Sequence, residues 1–256
     1  MTNDRRVIVH PDKPALASSV AARFLTKVVD LLDERPVVHI VLTGGSIANA
    51  VLEQVAQSSA RDTIDWQRIH LWWGDERWVP LGDAERNEGH AHAALIDAID
   101  IPEANVHAMP ASDGGLTLDE AAEAYARELA LHAPEGADTP VFDITFLGVG
   151  PDGHIASLFP HRSGIQVTDA TVIPVRNSPK PPPERLSLTR PVLNASDRIW
   201  LVLAGADKAS ALGLALAGAS RDEVPVAGIK GRRRTVFFVD REAAAEVPER
   251  LISPDY

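Results

Sequence analysis

Short apolar runs alternate with segments of helical periodicity along most of this chain, and no other feature constrains its fold as strongly. Runs rich in Val, Ile and Leu are typical of strands buried on both faces of a sheet. We predict strands at residues 7–9, 37–42, 69–73, 142–147, 172–175, 199–203 and 235–239. We predict helices at residues 13–33, 47–57, 85–98, 118–132 and 206–217. This repetition predicts an α/β fold with a doubly wound, mostly parallel sheet flanked by helices.

Composition narrows the classes of function. The 256 residues show no internal repeat and no convincing boundary, so we expect a single domain over residues 1–256. The absence of Cys excludes disulfides, thiolate nucleophiles and cysteine zinc sites. A net charge of −11 disfavours nucleic-acid binding. Neither a signal peptide nor a membrane-spanning run is expected, so the predicted location is the cytoplasm. An acidic protein that binds an anion must concentrate Lys and Arg locally.

A glycine turn follows the predicted strand 37–42. Gly44 and Gly45 allow the backbone to bend, and Ser46 then begins a helix. Backbone N–H groups at a helix N-terminus attract anions, so this turn is a candidate phosphate site. The alternative is an ordinary tight turn in which Ser46 caps the helix.

Charged residues follow the next predicted strand, 69–73. Asp75 can act as an acid or base or bind a sugar hydroxyl, and the planar guanidinium of Arg77 suits a phosphate. The alternative is a solvated, salt-bridged loop. Asn87, slightly further on, is expected to stabilise a helix start rather than to contact a ligand.

The segment from Gly148 to His154 is the most informative, because it places an Asp and a His in a glycine-rich loop after a strand. Its three glycines match the dinucleotide fingerprint, followed by an apolar, potentially helical run. Asp152 would repel the pyrophosphate of NAD. The motif also lies mid-chain, whereas the fingerprint usually belongs to the first strand–helix turn, so both observations disfavour NAD binding. His154 is the best candidate for a general base, with Asp152 orienting its ring. The alternative is a capping Asp beside a surface His.

Two lysines follow other strands. Lys180 lies among prolines that restrict its loop, which suits a preorganised cation, and Lys208 follows the predicted strand 199–203. Each can equally be an exposed surface lysine. The chain lacks both the serine-hydrolase nucleophile elbow and the Walker A motif, which disfavours those mechanisms.

Taken together, these motifs resemble the 6-phosphogluconolactonase family, within the superfamily that includes glucosamine-6-phosphate deaminase. The resemblance covers nearly the whole chain and is most specific in the Gly-x-Gly-Pro-Asp-Gly-His and Ser-Pro-Lys-Pro-Pro motifs. Two positions depart from the family pattern, since Ile47 and Ile155 stand where a hydroxyl residue is common.

The resemblance implies hydrolysis of 6-phospho-D-glucono-1,5-lactone without a metal or organic cofactor, by a monomer or homodimer acting on a small sugar phosphate. It implies a water activated by His154, with Asp152 and Asp75 positioning the base or the hydroxyls. The implied substrate- and phosphate-binding residues are Gly44, Gly45, Ser46, Arg77, Lys180, Arg185 and Lys208.

Two other functions remain open from the residues. One is an aldose–ketose isomerase or deaminase in which Asp75 abstracts a carbon-bound proton. The other is a sugar-phosphate sensor without catalysis, which is weakened by the lack of an appended DNA-binding module.

Overall fold

The computed structural model describes residues 4–252, which form a seven-stranded sheet, a three-stranded sheet and flanking helices. The strands, in chain order, are β1 (Asp4–His10), β2 (Val38–Leu42), β3 (Ile69–Trp73), β4 (Asp75–Arg77), β5 (Val106–His107), β6 (Ile144–Gly148), β7 (Val172–Val175), β8 (Arg185–Leu188), β9 (Arg198–Leu203) and β10 (Arg234–Asp240). The α-helices are α1 (Lys13–Glu34), α2 (Ser46–Gln57), α3 (Asn87–Ala94), α4 (Leu118–Leu131), α5 (Arg190–Asn194) and α6 (Ala209–Leu216).

The large sheet is parallel throughout, in the order β1-β10-β9-β6-β2-β3-β5. From β2 the chain winds outward through β3 to β5, whereas from β6 it winds in the opposite direction through β9 to β10. The winding therefore reverses between β2 and β6, where a crevice opens at the carboxyl ends of the strands. The predicted doubly wound parallel sheet is confirmed.

The helices cover this sheet with apolar faces. α1 begins after Asp12, whose side chain accepts a hydrogen bond from the amide of Ala15, and it buries Val20 and Phe24 on its inner face. α4 begins with a capping box in which Thr117 and Glu120 satisfy each other's backbone N–H groups. None of the described helices is long and apolar enough to cross a membrane.

The small sheet, in the order β4-β8-β7, is antiparallel and departs from the prediction. Residues 172–175 form a strand as expected, but it belongs to this sheet. Asp75–Arg77, interpreted as a loop, is a strand because its backbone groups pair with Arg185–Ser187 of β8. Long-range pairing, rather than local propensity, therefore determines the conformation of this charged segment.

Three predicted helical segments also differ. The helix expected at 85–98 is α3 followed by a separate 3₁₀ turn at Ile96–Ala98, because Leu95 has extended φ and ends the α-helix. The helix expected at 206–217 starts with a 3₁₀ turn at Ala206–Lys208 before α6. The apolar run after Gly153 forms turns and isolated bridges, since Ala156 has a positive φ that an α-helix excludes.

Candidate active site

A cavity of about 230 Å³ lies at the carboxyl edge of the large sheet, where the loops after β2 and β6 meet. These loops are in close contact, because the amide of Gly148 lies 3.4 Å from the hydroxyl of Thr43. The lining residues come from six separate segments of the chain and are Thr43, Gly44, Gly45, Ser46, Asp75, Arg77, Asn87, Gly148, Val149, Gly150, Pro151, His154, Ala156, Lys180, Arg185 and Lys208. Nine of the ten predicted site residues line this cavity, and the tenth, Asp152, contacts two of them.

The glycine turn presents the N-terminus of α2 to the cavity. Gly45 is the N-cap, with φ of 108°, a conformation that glycine adopts readily. No side chain caps this helix, so the interpretation of Ser46 as the cap is wrong. The Ser46 hydroxyl instead lies 3.1 Å from the Nζ of Lys13, a nearby cation that no motif in the sequence indicated. Uncapped N–H groups beside a lysine favour the binding of an anion.

Asn87 connects the glycine turn to Arg77. A Cβ atom on Gly44 would lie 1.9 Å from Oδ1 of Asn87, so only glycine fits there. Asn87 accepts a 2.7 Å hydrogen bond from Nη1 of Arg77 and donates a 3.0 Å bond to the carbonyl of Asp75. It begins α3 as expected, but it also lines the cavity, which its sequence context did not indicate.

Arg77 is held in place while part of its guanidinium is left without a protein partner. Its Nη1 also donates to the carbonyl of Glu85 at 2.7 Å. Within residues 4–252, the buried Nε of Arg77 has no hydrogen-bond partner. Because a buried donor is costly to leave unpaired, this group is suited to an anionic ligand in the cavity.

Glu76 organises the same loop from the opposite side of β4. Its carboxylate accepts hydrogen bonds of 2.8 Å from the amides of Arg77, Asn87 and Glu88. Burial raises the pKa of Glu76, although these N–H groups act in the opposite direction. Glu76 therefore joins β4 to the start of α3, a role that its position in the sequence did not indicate.

Asp152 and His154 form a close pair. Oδ1 of Asp152 lies 2.5 Å from Nδ1 of His154 and 3.5 Å from Nζ of Lys180. Partial burial alone would raise the pKa of Asp152, but the hydrogen bond from His154 and the nearby charges hold the pKa well below its usual value. With Nδ1 engaged by a carboxylate, Nε2 is the nitrogen of His154 left to act on a ligand.

Gly150 makes this pair sterically feasible. A Cβ atom there would lie 2.0 Å from Nδ1 of His154 and 2.5 Å from Oδ1 of Asp152. The loop is closed by two backbone hydrogen bonds of 2.9 Å, from Gly150 to the carbonyl of His154 and from Gly153 to the carbonyl of Gly150. Gly150, one of the three glycines that match a dinucleotide fingerprint, therefore makes room for the Asp–His pair.

The remaining predicted residues have more varied surroundings. Asp75 is buried at the cavity wall, and its Oδ2 accepts a 2.7 Å hydrogen bond from the hydroxyl of Ser157. Arg185 lines the cavity, but its Nη2 donates to the carbonyls of Lys180 and Pro181, so it also fixes the proline-rich loop. Lys208 pairs with its neighbour Asp207 at 2.9 Å.

The two departures from the family pattern point away from the cavity. Ile47 and Ile155 are both buried in the hydrophobic core, and neither lines the cavity. Replacing a hydroxyl residue by Ile at these positions therefore adds apolar contacts to the core without changing the cavity wall.

The fold and the site together define a class: doubly wound α/β proteins with a cation-lined cavity beside an Asp–His pair at the sheet reversal. Residues 11–238 match the family model for glucosamine-6-phosphate isomerases/6-phosphogluconolactonase. The chain is 48% identical to 6-phosphogluconolactonase of Streptomyces coelicolor, covering 99% of both chains. It is 43% identical to 6-phosphogluconolactonase of Mycobacterium tuberculosis, covering 94% of this chain and 97% of that one.

Solved structures agree with these matches. The crystal structure of 6-phosphogluconolactonase from Thermotoga maritima superposes with a TM-score of 0.81 at 30% identity, covering 93% of this chain and all of that one. The chain therefore belongs to the glucosamine-6-phosphate isomerase/6-phosphogluconolactonase family. The resemblance inferred from the motifs is confirmed, and so is the prediction of an enzyme in the 6-phosphogluconolactonase branch.

Proposed function

We propose that this protein hydrolyses 6-phospho-D-glucono-1,5-lactone to 6-phosphogluconate, the second step of the oxidative pentose phosphate pathway, with His154 as the general base. One observation carries the proposal: the 2.5 Å contact between Asp152 and His154 lies at a cavity whose other walls present cations and the N-terminus of α2. The names of the relatives support the same substrate.

The 6-phosphate binds at the end of the cavity formed by the glycine turn. The uncapped N–H groups of α2, the hydroxyl of Ser46 and the unpartnered Nε of Arg77 supply donors for its oxygens. Lys208 lines the same cavity and adds positive charge. This local concentration of cations offsets the repulsion that a chain with net charge −11 exerts on a phosphate.

The Asp–His pair activates water. Asp152 accepts a hydrogen bond from Nδ1–H of His154 and so fixes the tautomer whose Nε2 carries the lone pair. Nε2 removes a proton from water as the water oxygen attacks the lactone carbonyl carbon. The carboxylate of Asp152 stabilises the imidazolium that forms, in the manner of the third group of a catalytic triad.

Collapse of the tetrahedral intermediate breaks the bond between the carbonyl carbon and the ring oxygen. The proton held on Nε2 of His154 passes to that oxygen, which becomes the 5-hydroxyl of the product. Because the phosphate is anchored at the other end of the cavity, the carbonyl is held near His154 and much of the rate enhancement comes from orientation.

Two further polar groups at the cavity hold the substrate or the loops in place. Asp75 is bonded to Ser157 inside the cavity wall, so we assign it a role in binding a sugar hydroxyl. Lys180 lies near Asp152 and has a half-exposed side chain on a loop fixed by Arg185, which allows it to reach a bound anion.

The direct test of this function compares two lactones that differ only in the phosphate. Purified protein should hydrolyse 6-phosphogluconolactone well above the spontaneous rate. Its kcat/KM for unphosphorylated glucono-1,5-lactone should be at least ~100-fold lower, because each charge-assisted hydrogen bond to the phosphate contributes about 1.5–3 kcal/mol. Equal kcat/KM values for the two lactones would exclude the phosphate site. No rate above background for either would exclude the function.

A second substrate separates this proposal from the deaminase alternative. Incubation with glucosamine 6-phosphate should release no ammonia, because we assign the carboxylate of Asp75, which accepts a hydrogen bond from Ser157, to binding a sugar hydroxyl rather than to abstracting a proton from carbon. Ammonia release at a rate comparable with lactone hydrolysis would assign the chain to the deaminase branch instead.

A further inference from the structure

A cluster of histidines lies outside the catalytic cavity, at the β3–β5 edge of the large sheet. His70 comes from β3, His107 from the edge strand β5, and His132 directly follows α4. Each offers one nitrogen, and these three nitrogens lie within 4.8 Å of one another. Within residues 4–252 it is the one group of metal-ligand side chains that converges in this way.

We propose that His70, His107 and His132 form a binding site for a divalent transition metal ion of the zinc type. Three imidazoles with an open fourth position suit Zn²⁺, Co²⁺ or Ni²⁺, whereas Mg²⁺ and Ca²⁺ prefer oxygen ligands. The bound ion would join the end of α4 to the strands β3 and β5. It takes no part in the proposed reaction, for which the sequence predicted no metal.

The distances between the ligand atoms fit this ion after a small adjustment. Nδ1 of His70 lies 2.8 Å from Nε2 of His107. Four ligands at about 2.0–2.1 Å in a tetrahedron lie about 3.3–3.4 Å from one another. The two rings therefore need to separate by roughly half an ångström, and His132 needs to approach by no more than about 1.5 Å.

The surroundings of His107 already have the arrangement of a metal ligand. Its Nδ1 lies 2.8 Å from a carboxylate oxygen of Glu128, which fixes Nδ1 as the donor and leaves the lone pair of Nε2 directed at His70. Such a carboxylate behind a ligating histidine is the usual second contact in zinc sites. The ring is also stacked on Trp72, with centroids 3.8 Å apart and planes 8° apart, so its orientation is restricted.

The cluster can be reached from solvent, and its internal hydrogen bond can be exchanged for an ion. Because Nδ1 of His107 faces Glu128, the 2.8 Å contact between the two rings is a hydrogen bond from Nδ1 of His70 to Nε2 of His107, and an ion must displace the proton between them. His132 retains 29% of its side-chain exposure, which provides a route from solvent. The neighbouring His39 lies outside the converging group, and its Nδ1 accepts a 3.1 Å hydrogen bond from Trp72.

The experiment titrates ZnCl₂ and CoCl₂ into chelator-stripped protein, with His132→Gln as the test variant. Wild type should bind one ion per chain, give the visible absorption of tetrahedral Co²⁺, and gain about 5–10 °C in Tm when Zn²⁺ is 100-fold above its Kd. His132→Gln should lose the Co²⁺ absorption and the Tm gain, since two imidazoles cannot complete the site.

Two matched variants locate the binding. His92→Gln removes an exposed histidine of α3 and should bind as wild type does. His154→Gln removes the catalytic histidine and should also retain binding. The proposal is overturned if wild type binds no ion, if His132→Gln binds equally well, or if His154→Gln abolishes binding.

X-ray absorption of the zinc-loaded wild type provides a measurement that does not depend on the folding of any variant. It should show three imidazole nitrogens at about 2.0–2.1 Å. A shell of oxygen ligands alone would contradict the assignment.

Discussion

Replacing Gly150 by Ala should disable the Asp–His pair while leaving the fold intact. The added Cβ atom would lie 2.0 Å from Nδ1 of His154 and 2.5 Å from Oδ1 of Asp152. Since carbon contacts are ordinarily about 3.5 Å or longer, the imidazole must move by roughly 1.5 Å. The φ angle of Gly150 is not positive, so Ala can adopt the same backbone conformation and the collision of its Cβ atom is the main effect.

The size of the effect follows from the displacement of the base. A misplacement of about 1 Å costs roughly 100-fold in rate, and a general base contributes about 10²–10⁴-fold. We therefore expect kcat of Gly150→Ala to fall by about 10²–10³-fold, with KM changed by less than about 3-fold because the phosphate contacts lie on other loops. Coupling the product to a 6-phosphogluconate dehydrogenase, with the spontaneous rate subtracted, measures both constants.

Gly89→Ala is the matched control. Gly89 lies in α3, and a Cβ atom there would have no neighbour within 4 Å. This variant should keep wild-type kcat and gain about 0.5–1 kcal/mol in the free energy of unfolding, because Ala is favoured over Gly inside a helix. If Gly150→Ala keeps kcat within about 3-fold of wild type, the pair does not act as described.

Three further outcomes follow from the structure. Arg77→Ala should raise KM by about 10–100-fold with kcat little changed, since a charge-assisted contact to phosphate is worth about 1.5–3 kcal/mol. An unchanged KM would show that Arg77 does not bind the phosphate. Because the pKa of Asp152 is held well below its usual value, its carboxylate stays ionised at mildly acidic pH, so protonation of Asp152 should add no separate step to the profile of log kcat there; a step that Asp152→Asn removes would contradict this. Tyr125→Phe should lower the free energy of unfolding in urea by about 1–3 kcal/mol, because the buried hydroxyl accepts a 3.0 Å hydrogen bond from the amide of Trp73. An unchanged urea midpoint would refute this.

Much of the site was predictable because the topology brings strand ends together. Each parallel strand ends at the same edge of the sheet, so residues that directly follow β2, β6 and β9 must lie close to one another. Gly44, His154 and Lys208 could therefore be grouped from their positions relative to apolar runs, although they are far apart in the chain.

Other features depend on contacts that local sequence does not encode. The small sheet pairs Asp75–Arg77 with a segment more than a hundred residues away, and charged residues at a strand end gave no sign of that pairing. The contact of Asn87 with Gly44 and the approach of Lys13 to Ser46 likewise arise from helix packing. The histidine cluster was unpredictable for the same reason, since its members are 25 or more residues apart.

The most direct test of the proposed mechanism is the turnover of His154→Gln on 6-phosphogluconolactone, with His92→Gln as the matched surface variant and circular dichroism to verify folding. Without the imidazole that Asp152 orients, kcat should fall by about 10²–10⁴-fold while KM stays near wild type, and His92→Gln should be unaffected. A folded His154→Gln protein that turns over within a few-fold of wild type would contradict the assignment of His154 as the base.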